Sequence, residues 1–188
     1  MCLRSFGRME LRPLHPPLVD DAILLREWAV DDVPAIVAAC RDPEIPRWTL
    51  VPTPYDDAMA REFVAQAEAA WRHGSAHFAV VARSSGDLVG SMTLWTVKPG
   101  VGEFGYWAVR EARGRGYTTR ALRLVSRWAL DELGLARLQL GTLPGNVASE
   151  RVAEKVGFRP EGTLRAYLEQ RGERRDVLMW SLLPDELR

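Results

Sequence analysis

Residues 104 to 118 read Phe104-Gly105-Tyr106-Trp107-Ala108-Val109-Arg110-Glu111-Ala112-Arg113-Gly114-Arg115-Gly116-Tyr117-Thr118, and this stretch decides the fold. Apolar residues alternate at its start, which predicts a strand. A turn with two glycines follows, and a long amphipathic segment begins directly after it. Glycines let successive backbone N–H groups point to one side, and the first turn of a helix leaves its own N–H groups unpaired. The stretch therefore predicts a strand, a turn and a helix with an anion site at the turn.

Positive charge is concentrated in and after this turn. From residue 110 to residue 127 the chain has six arginines and one acid, Glu111, whereas the formal net charge of the whole chain is zero. The start of a helix and a local excess of arginine both favour an anion. Because the rest of the chain is correspondingly acidic, a small phosphorylated ligand is favoured over a nucleic acid or a membrane surface. An ordinary strand-to-helix turn with exposed arginines remains the alternative.

The composition predicts a soluble protein with one main domain. The chain has 188 residues, of which 47% are hydrophobic, so it can bury a substantial core. It contains no apolar run near the roughly 20 residues of a membrane helix and no signal-peptide pattern, so we expect a cytoplasmic protein. Cys2 and Cys40 do not make a disulfide framework, and the three histidines lack metal-ligand spacing. We therefore expect no metal.

The order of predicted elements indicates a mixed sheet. Prolines at positions 13, 16 and 17 predict an irregular lead-in over residues 1–20, followed by one domain over residues 21–188. Strands are predicted at 22–28, 77–82, 88–97, 103–109, 138–142, 158–164 and 176–183. Helices are predicted from Asp31 or Asp32 to about Cys40, from Asp56 or Asp57 to Trp71, and over 118–133 and 146–156. Residues 41–54, rich in proline, are predicted to form a loop.

These elements predict an α/β (or α+β) single domain. Short connections make the strands between residues 77 and 109 an antiparallel meander. Helices inserted between the later strands place helical layers on both faces of the sheet. We expect a mixed, mostly antiparallel central sheet of about six or seven strands.

Two motifs in this order resemble those of the GNAT N-acyltransferases, and within them the RimJ/RimL-like proteins of the ribosomal-protein-alanine N-acetyltransferase type. The first, Arg113-Gly114-Arg115-Gly116-Tyr117-Thr118, is similar to the family turn Arg/Gln-x-x-Gly-x-Gly/Ala, with Thr118 at the last position. The second, Asn146-x-x-Ser149-x-x-Val152-x-Glu154-Lys155-x-Gly157-Phe158, is similar to the family's second cofactor-side helix. The resemblance spans about residues 23–182 and implies a GNAT fold with a splayed pair of parallel strands.

The resemblance implies acetyl-coenzyme A as the acyl donor. The glycine turn would hold the pyrophosphate, with Arg113 and Arg115 neutralising charge, and the opened strand would line the pantetheine arm. Backbone contacts to pantetheine are expected from Trp107 and Val109. The implied cofactor-binding residues are Trp107, Ala108, Val109, Arg113, Gly114, Arg115, Gly116, Tyr117, Thr118, Asn146 and Ser149.

Four residues are candidates for the chemistry. Acyl transfer to an amine needs a neutral amine, a stabilised oxyanion and a proton for the departing thiolate. Glu103 matches a position where many family members have a carboxylate that takes the amine proton, the alternative being a solvated acid. Asn146 and Ser149 match positions near the thioester, where Ser149 could protonate the thiolate, and both could equally cap a helix. Tyr167 is a possible substitute base or a packing residue. Besides these four, Glu161 and Glu169 are further possible substitutes, the alternative for Glu169 being a solvated acid.

One departure from the family pattern leaves the function open. RimL-like proteins often have a glutamate where this chain has Ala166. The candidates are therefore an N-acetyltransferase for a protein N-terminal α-amine or another primary amine, a small-molecule acetyltransferase for aminoglycosides or polyamines, and a catalytically idle acyl-coenzyme A sensor. The acceptor side is expected from residues 41–55, 94–101 and 165–175. The sequence leaves open whether the chain forms a homodimer.

Overall fold

The computed structural model of the protein describes residue 11 and residues 17–188. Within this part of the chain, eight strands form one sheet in the order β1-β2-β3-β4-β5-β6-β8-β7. The strands are β1 Leu18–Val19, β2 Ile23–Arg26, β3 Ser75–Ala82, β4 Leu88–Lys98, β5 Val101–Ala108, β6 Arg137–Thr142, β7 Arg159–Gln170 and β8 Glu173–Leu182. The helices are α1 Val33–Cys40, α2 Glu44–Trp48, α3 Asp57–Ala70, α4 Tyr117–Asp131 and α5 Val147–Val156. The β5–β6 pair is parallel and the other strand pairs are antiparallel.

Helices cover both faces of the sheet, and we name the faces by them. On the α4 face, Leu122 of α4 joins the same buried cluster as Phe104 of β5. On the α1 face, Val37 of α1 and Val64 of α3 cluster with Ala79 of β3. Side chains alternate along a strand, so consecutive residues of β5 reach opposite faces. The mixed α/β fold with helices on both faces is confirmed.

Local signals place several element ends where the sequence predicts them. Asp56 is the N-cap of α3, and its Oδ1 accepts the N–H of Met59 at 2.9 Å. Gly74 ends the following helical turn with a φ of 79°, a conformation that favours glycine. Asn146 caps α5, and Gly157 ends it with a φ of 111°. Side-chain caps and left-handed glycines therefore set these boundaries.

Three predictions about the sheet and its loops are corrected. The sheet has one strand more than expected, because Leu18 and Val19 pair with β2 instead of lying in an irregular lead-in. The other residues predicted for that lead-in, except Leu11, Pro17 and Asp20, lie outside the described residues. The predicted loop over residues 41–54 contains α2. Strands β7 and β8 extend beyond the strands predicted at 158–164 and 176–183, so that residues 169–175 form the tip of a long hairpin.

The tip of this hairpin is attached to α2 by one buried amide. Gln170 is 5% exposed, and its Nε2 donates to the carbonyl oxygen of Thr49 at 2.8 Å, with longer contacts to those of Pro46 and Arg47 at 3.3 Å. These are carbonyl groups at the end of a short helix, which otherwise lack intrahelical partners. The contact joins two of the three segments expected on the acceptor side.

No helix among the described residues is long and apolar enough to cross a bilayer.

Candidate active site

The central parallel strands separate towards their carboxyl ends. Their paired register ends at Phe104 opposite Leu140. Beyond this pair, β5 continues to Ala108 and β6 to Thr142 without further pairing between them. The two strands therefore open into a gap, and the predicted splay is confirmed.

Backbone groups of β5 line this gap. Val109 donates its N–H to the carbonyl of Val89 at 3.0 Å, and Trp107 lies two residues earlier in the same ladder. Because hydrogen-bonded pairs alternate along an antiparallel ladder, Trp107 also directs its N–H and C=O towards β4. Tyr106 and Ala108 direct theirs into the gap. The backbone groups of Trp107 and Val109, which were expected to contact pantetheine, thus point towards β4, and those that point into the gap belong to Tyr106 and Ala108.

The turn at the end of the gap has the open backbone that the sequence predicts. Gly114 and Gly116 have φ angles of 73° and 82°, and a Cβ added at either would meet no atom within 4 Å. Gly116 is the N-cap of α4, so this helix begins without a side-chain cap. The N–H groups of Tyr117 and Thr118 in its first turn are left for water or a ligand. This geometry suits an anion.

The two arginines of the turn have different surroundings. The Arg115 guanidinium lies over the ring of Tyr117, 5.1 Å from its centroid, and so stays beside the start of α4. Arg113 forms an ion pair with Asp42 at 2.5 Å and donates to the carbonyl of Ala108 at 3.2 Å. Sequence reasoning placed Arg113 as a phosphate partner, but in this structure its charge already faces a carboxylate.

Asp42 stays ionised beside Arg113. Burial alone would raise the pKa of its carboxyl. Hydrogen bonds from the Glu44 N–H and from Arg113, together with the charges of Arg113 and Arg110, hold that pKa below its usual range instead. The ion pair therefore joins the turn to the segment between α1 and α2, on the expected acceptor side.

On the α4 face, Tyr106 meets the first turn of α5. The Tyr106 hydroxyl and the Ser149 Oγ are 2.8 Å apart. Burial raises the pKa of the Tyr106 phenol to about 12, against the effect of the Ser149 hydrogen bond. Asn146 Oδ1 accepts the N–H of Ser149 at 3.3 Å, so the capping interpretation of Asn146 holds. Sequence reasoning did not propose the Tyr106 side chain as a site residue. Its alternation with Phe104 and Ala108 nevertheless predicts the face of the sheet on which it lies.

On the α1 face, Glu103 lies just before the strands separate. Gln139 of β6, directly opposite, donates its Nε2 to Glu103 Oε2 at 2.6 Å. On the other side, β4 places Trp95 opposite Glu103. Glu103 and the Tyr106–Ser149 pair therefore lie on opposite faces of the sheet, next to the same gap.

Gly105 has no side chain and therefore leaves room for the Trp95 ring on the α1 face. A Cβ there would lie 2.5 Å from Cη2 of Trp95, so the indole ring covers the backbone of this glycine. The Trp95 ring is held edge-on by His77, with centroids 6.3 Å apart, and the residue is still 37% exposed. Trp107, by contrast, packs against Trp28 in the α1-face core. Trp95 is therefore the tryptophan that borders the opening beside Glu103.

The remaining candidate bases lie on β7, which β6 and β8 separate from β5 in the sheet. Tyr167 is 56% exposed on β7, and its backbone carbonyl accepts from Arg174, so the packing interpretation of its side chain is wrong. Glu169 pairs with Arg174 at 3.5 Å. Hydrogen bonds from Arg137 and Ser181 lower the pKa of Glu161 to about 2. The Glu169 contact stays within the β7–β8 hairpin, whereas Arg137, the partner of Glu161, also contacts Gln139 beside Glu103.

The site holds groups for anion binding and proton transfer. Among the described residues, no group of three or more His, Cys, Asp or Glu side chains could hold a metal ion. The arrangement offers helix N–H groups at one end, free backbone groups along the gap, a hydroxyl pair on one face and a carboxylate on the other.

Comparisons with known proteins agree with this geometry. Residues 22–159 match the family model described as "Acetyltransferase (GNAT) domain". The chain is 34% identical over 114 residues to "Probable N-acetyltransferase YjcK" of Bacillus subtilis (strain 168), which is 58% of this chain and 63% of that protein. It is 25% identical over 173 residues to "Uncharacterized N-acetyltransferase p20" of Bacillus licheniformis, which is 90% of this chain and 97% of that one.

A solved structure supports the same relationship. Mycobacterium smegmatis RimJ in complex with CoA-disulfide superposes with a TM-score of 0.78 at 26% identity, over 88% of this chain and 83% of that chain. Together with the opened strands and the glycine turn, the family match shows that the chain belongs to the GNAT acetyltransferases. The resemblance inferred from the two motifs is confirmed.

Proposed function

We propose that this protein is an acetyl-coenzyme A-dependent N-acetyltransferase that moves an acetyl group to a primary amine by direct attack in a ternary complex. The observation that carries the proposal is the placement of polar groups around the gap. The Tyr106–Ser149 hydroxyl pair lies on the α4 face, and the Glu103 carboxylate lies on the α1 face. A thioester lying in the gap would have a proton donor on one side and a proton acceptor on the other.

The donor would enter with its pyrophosphate at the glycine turn. The N–H groups of Gly116, Tyr117 and Thr118 and the positive end of the α4 dipole would bind the phosphates, with Arg115 close by. The pantetheine arm would then lie along β5, where Tyr106 directs its backbone N–H and C=O, and Ala108 its N–H, into the gap. The complex of RimJ with a coenzyme A disulfide supports this donor class.

The reaction would follow from the two sides of the gap. Glu103, directly or through a water molecule, would take a proton from the ammonium form of the acceptor. The neutral nitrogen would attack the thioester carbonyl carbon, and the free N–H groups of the gap would stabilise the oxyanion. The C–S bond would then break while the nitrogen loses its second proton to solvent water, and the thiolate would take a proton from Ser149, which is replaced from water through Tyr106. The products are the N-acetyl amine and coenzyme A.

The acceptor would approach over the α1 face. The Trp95 ring covers the backbone of Gly105 and forms an apolar wall beside Glu103. An N-terminal α-amine of a protein or peptide is the first acceptor class to test, because the chain is similar to RimJ. Aminoglycosides and polyamines form the second class.

Two measurements test the proposal. Isothermal titration with coenzyme A should show binding, and acetyl-coenzyme A should release free thiol when an acceptor is present. The amine panel should contain peptides with free N-termini, the same peptides N-acetylated as matched controls, aminoglycosides and polyamines. Thiol release only with the free peptides would identify a protein or peptide N-terminus as the acceptor. Release only with the aminoglycosides or polyamines would identify a small-molecule amine as the acceptor. Coenzyme A binding without thiol release over the whole panel would instead identify an acyl-coenzyme A sensor.

A further inference from the structure

The hydrogen bond from Gln139 to Glu103 bears on the orientation of the proposed proton acceptor. We infer that Gln139 is a positioning residue, which holds the Glu103 carboxylate so that its free oxygen faces the acceptor amine. The inference rests on the proposed role of Glu103 as the proton acceptor. It adds a residue that neither motif contains.

The geometry of the pair leaves one carboxylate oxygen for the substrate. Gln139 Nε2 lies 2.6 Å from Glu103 Oε2, and both side chains are partly buried on the α1 face. Their backbones are opposite one another, one residue before the last paired position of β5 and β6. This contact occupies Oε2 and leaves Oε1 for an incoming N–H group. The pair is thus placed where the strands begin to separate.

Arg137 determines which way the Gln139 amide points. Arg137 Nε lies 3.3 Å from Gln139 Oε1. A guanidinium has donors and no acceptor, so the amide oxygen faces Arg137 and the NH2 group faces Glu103. The reversed amide would turn two donors towards each other and two acceptors towards each other. Gln139 therefore has one favoured orientation, and in it the amide donates to the carboxylate.

A further ion pair holds Arg137 in turn. Its two terminal nitrogens lie 2.7 and 2.6 Å from the two oxygens of Glu161 on β7. Ser181 of β8 donates to the same Glu161 at 2.7 Å. Bidentate pairing fixes the direction of a guanidinium as well as its position. The order of contacts is Ser181, Glu161, Arg137, Gln139 and Glu103, across four neighbouring strands.

This arrangement limits the motion of a side chain that would otherwise rotate freely. A glutamate has three rotatable bonds, and a proton acceptor works only within hydrogen-bond reach of its proton. Small displacements of a reacting group lower rates strongly. Gln139 acts on Glu103 and does not need to touch the substrate, so its loss should lower kcat more than it changes the KM for either substrate.

The test compares five variants by thiol release with the best acceptor from the amine panel. Gln139→Met keeps the length of the side chain and removes both contacts. Gln66→Met is the matched control, because Gln66 also donates to a carboxylate, Glu62, at 2.8 Å, on the exposed side of α3. Glu103→Gln and the double variant Glu103→Gln with Gln139→Met complete a cycle. Melting temperatures are recorded for all of them.

The expected results are specific. Gln139→Met should lower kcat about tenfold with coenzyme A affinity unchanged, Gln66→Met should match the parent, and Glu103→Gln should lower kcat about 100-fold. In the Glu103→Gln background, Gln139→Met should cause no further loss, because the group it positions is gone. Arg137→Gln leaves Gln139 in place but frees its amide, so it should lower kcat in the same direction even if Gln139→Met folds poorly.

Other outcomes separate the two proposals. If Glu103→Gln loses activity but Gln139→Met and Arg137→Gln do not, the positioning role is wrong and the proposed function stands. If the losses multiply in the double variant, Gln139 acts independently of Glu103 and the inference is likewise overturned. Full activity of Glu103→Gln would remove Glu103 from the chemistry and the inference with it.

Discussion

Replacing Gly116 by glutamate should abolish tight binding of coenzyme A through charge repulsion. The residue is the N-cap of α4 with a φ of 82°, and a Cβ there would meet no atom within 4 Å. A carboxylate would therefore fit in the space in front of the helix, where the pyrophosphate is proposed to bind. At about 5 Å, two unit charges repel by about 3 kcal/mol at an effective dielectric constant of about 20. The dissociation constant should rise about 100-fold or more.

The strain of the backbone must be separated from the charge. Any side chain at this φ costs about 1–2 kcal/mol, so Gly116→Ala measures the strain alone. Gly134, with a φ of 65° and the same open surroundings, lies beyond the far end of α4, and Gly134→Glu controls for the added acid. Titration calorimetry with coenzyme A should show near-parent affinity for both controls. Equal affinity of Gly116→Glu and Gly116→Ala would refute the placement of the pyrophosphate.

Three further changes test other parts of the site. Tyr106→Phe removes the hydroxyl beside Ser149 and should lower kcat about fivefold to tenfold, since one hydrogen bond contributes about 1 kcal/mol. An unchanged kcat in the thiol-release assay would show that Tyr106 takes no part in proton transfer. Gly105→Ala places a methyl 2.5 Å from Trp95, so the indole must move and the KM for the acceptor should rise. An unchanged KM would argue against Trp95 as the wall of the opening. Burial lowers the pKa of His77 from 6.5 to about 4. The unfolded chain then binds more protons between those values, so the free energy of unfolding falls as the pH drops from 6.5 to 4, by up to about 3 kcal/mol. His77→Phe should remove this part of the acid sensitivity in urea denaturation at pH 7 and 4.5, and an identical pH dependence would contradict it.

Local sequence signals predicted the glycine turn and the start of α4 because the structure there is local. The glycine turn depends on neighbouring residues and on the unpaired start of the helix that follows. The same holds for the cap at Asp56 and for the helix end at Gly74. Alternation also predicted that Glu103 and Phe104 lie on opposite faces of β5.

Local patterns failed where a distant partner decides the result. Proline-rich composition predicted a loop at residues 41–54, yet α2 forms there and accepts hydrogen bonds from Gln170, more than 120 residues away in sequence. The ion pair of Arg113 with Asp42 is likewise not visible in the turn, and the contact of Arg113 with the phosphates stays a prediction. A sequence shows neither contact, because folding brings these residues together.

The sequence by itself determined the order of elements, the family and the place of the glycine turn, since each rests on residues that are close in the chain. Tertiary structure alone decided which polar groups meet at the gap. Tyr106 reaches Ser149 across 43 positions, and Gln139 reaches Glu103 across 36. The physical reason is that a hydrogen bond depends on a few tenths of an ångström and on direction, and only the packed sheet and helices set both.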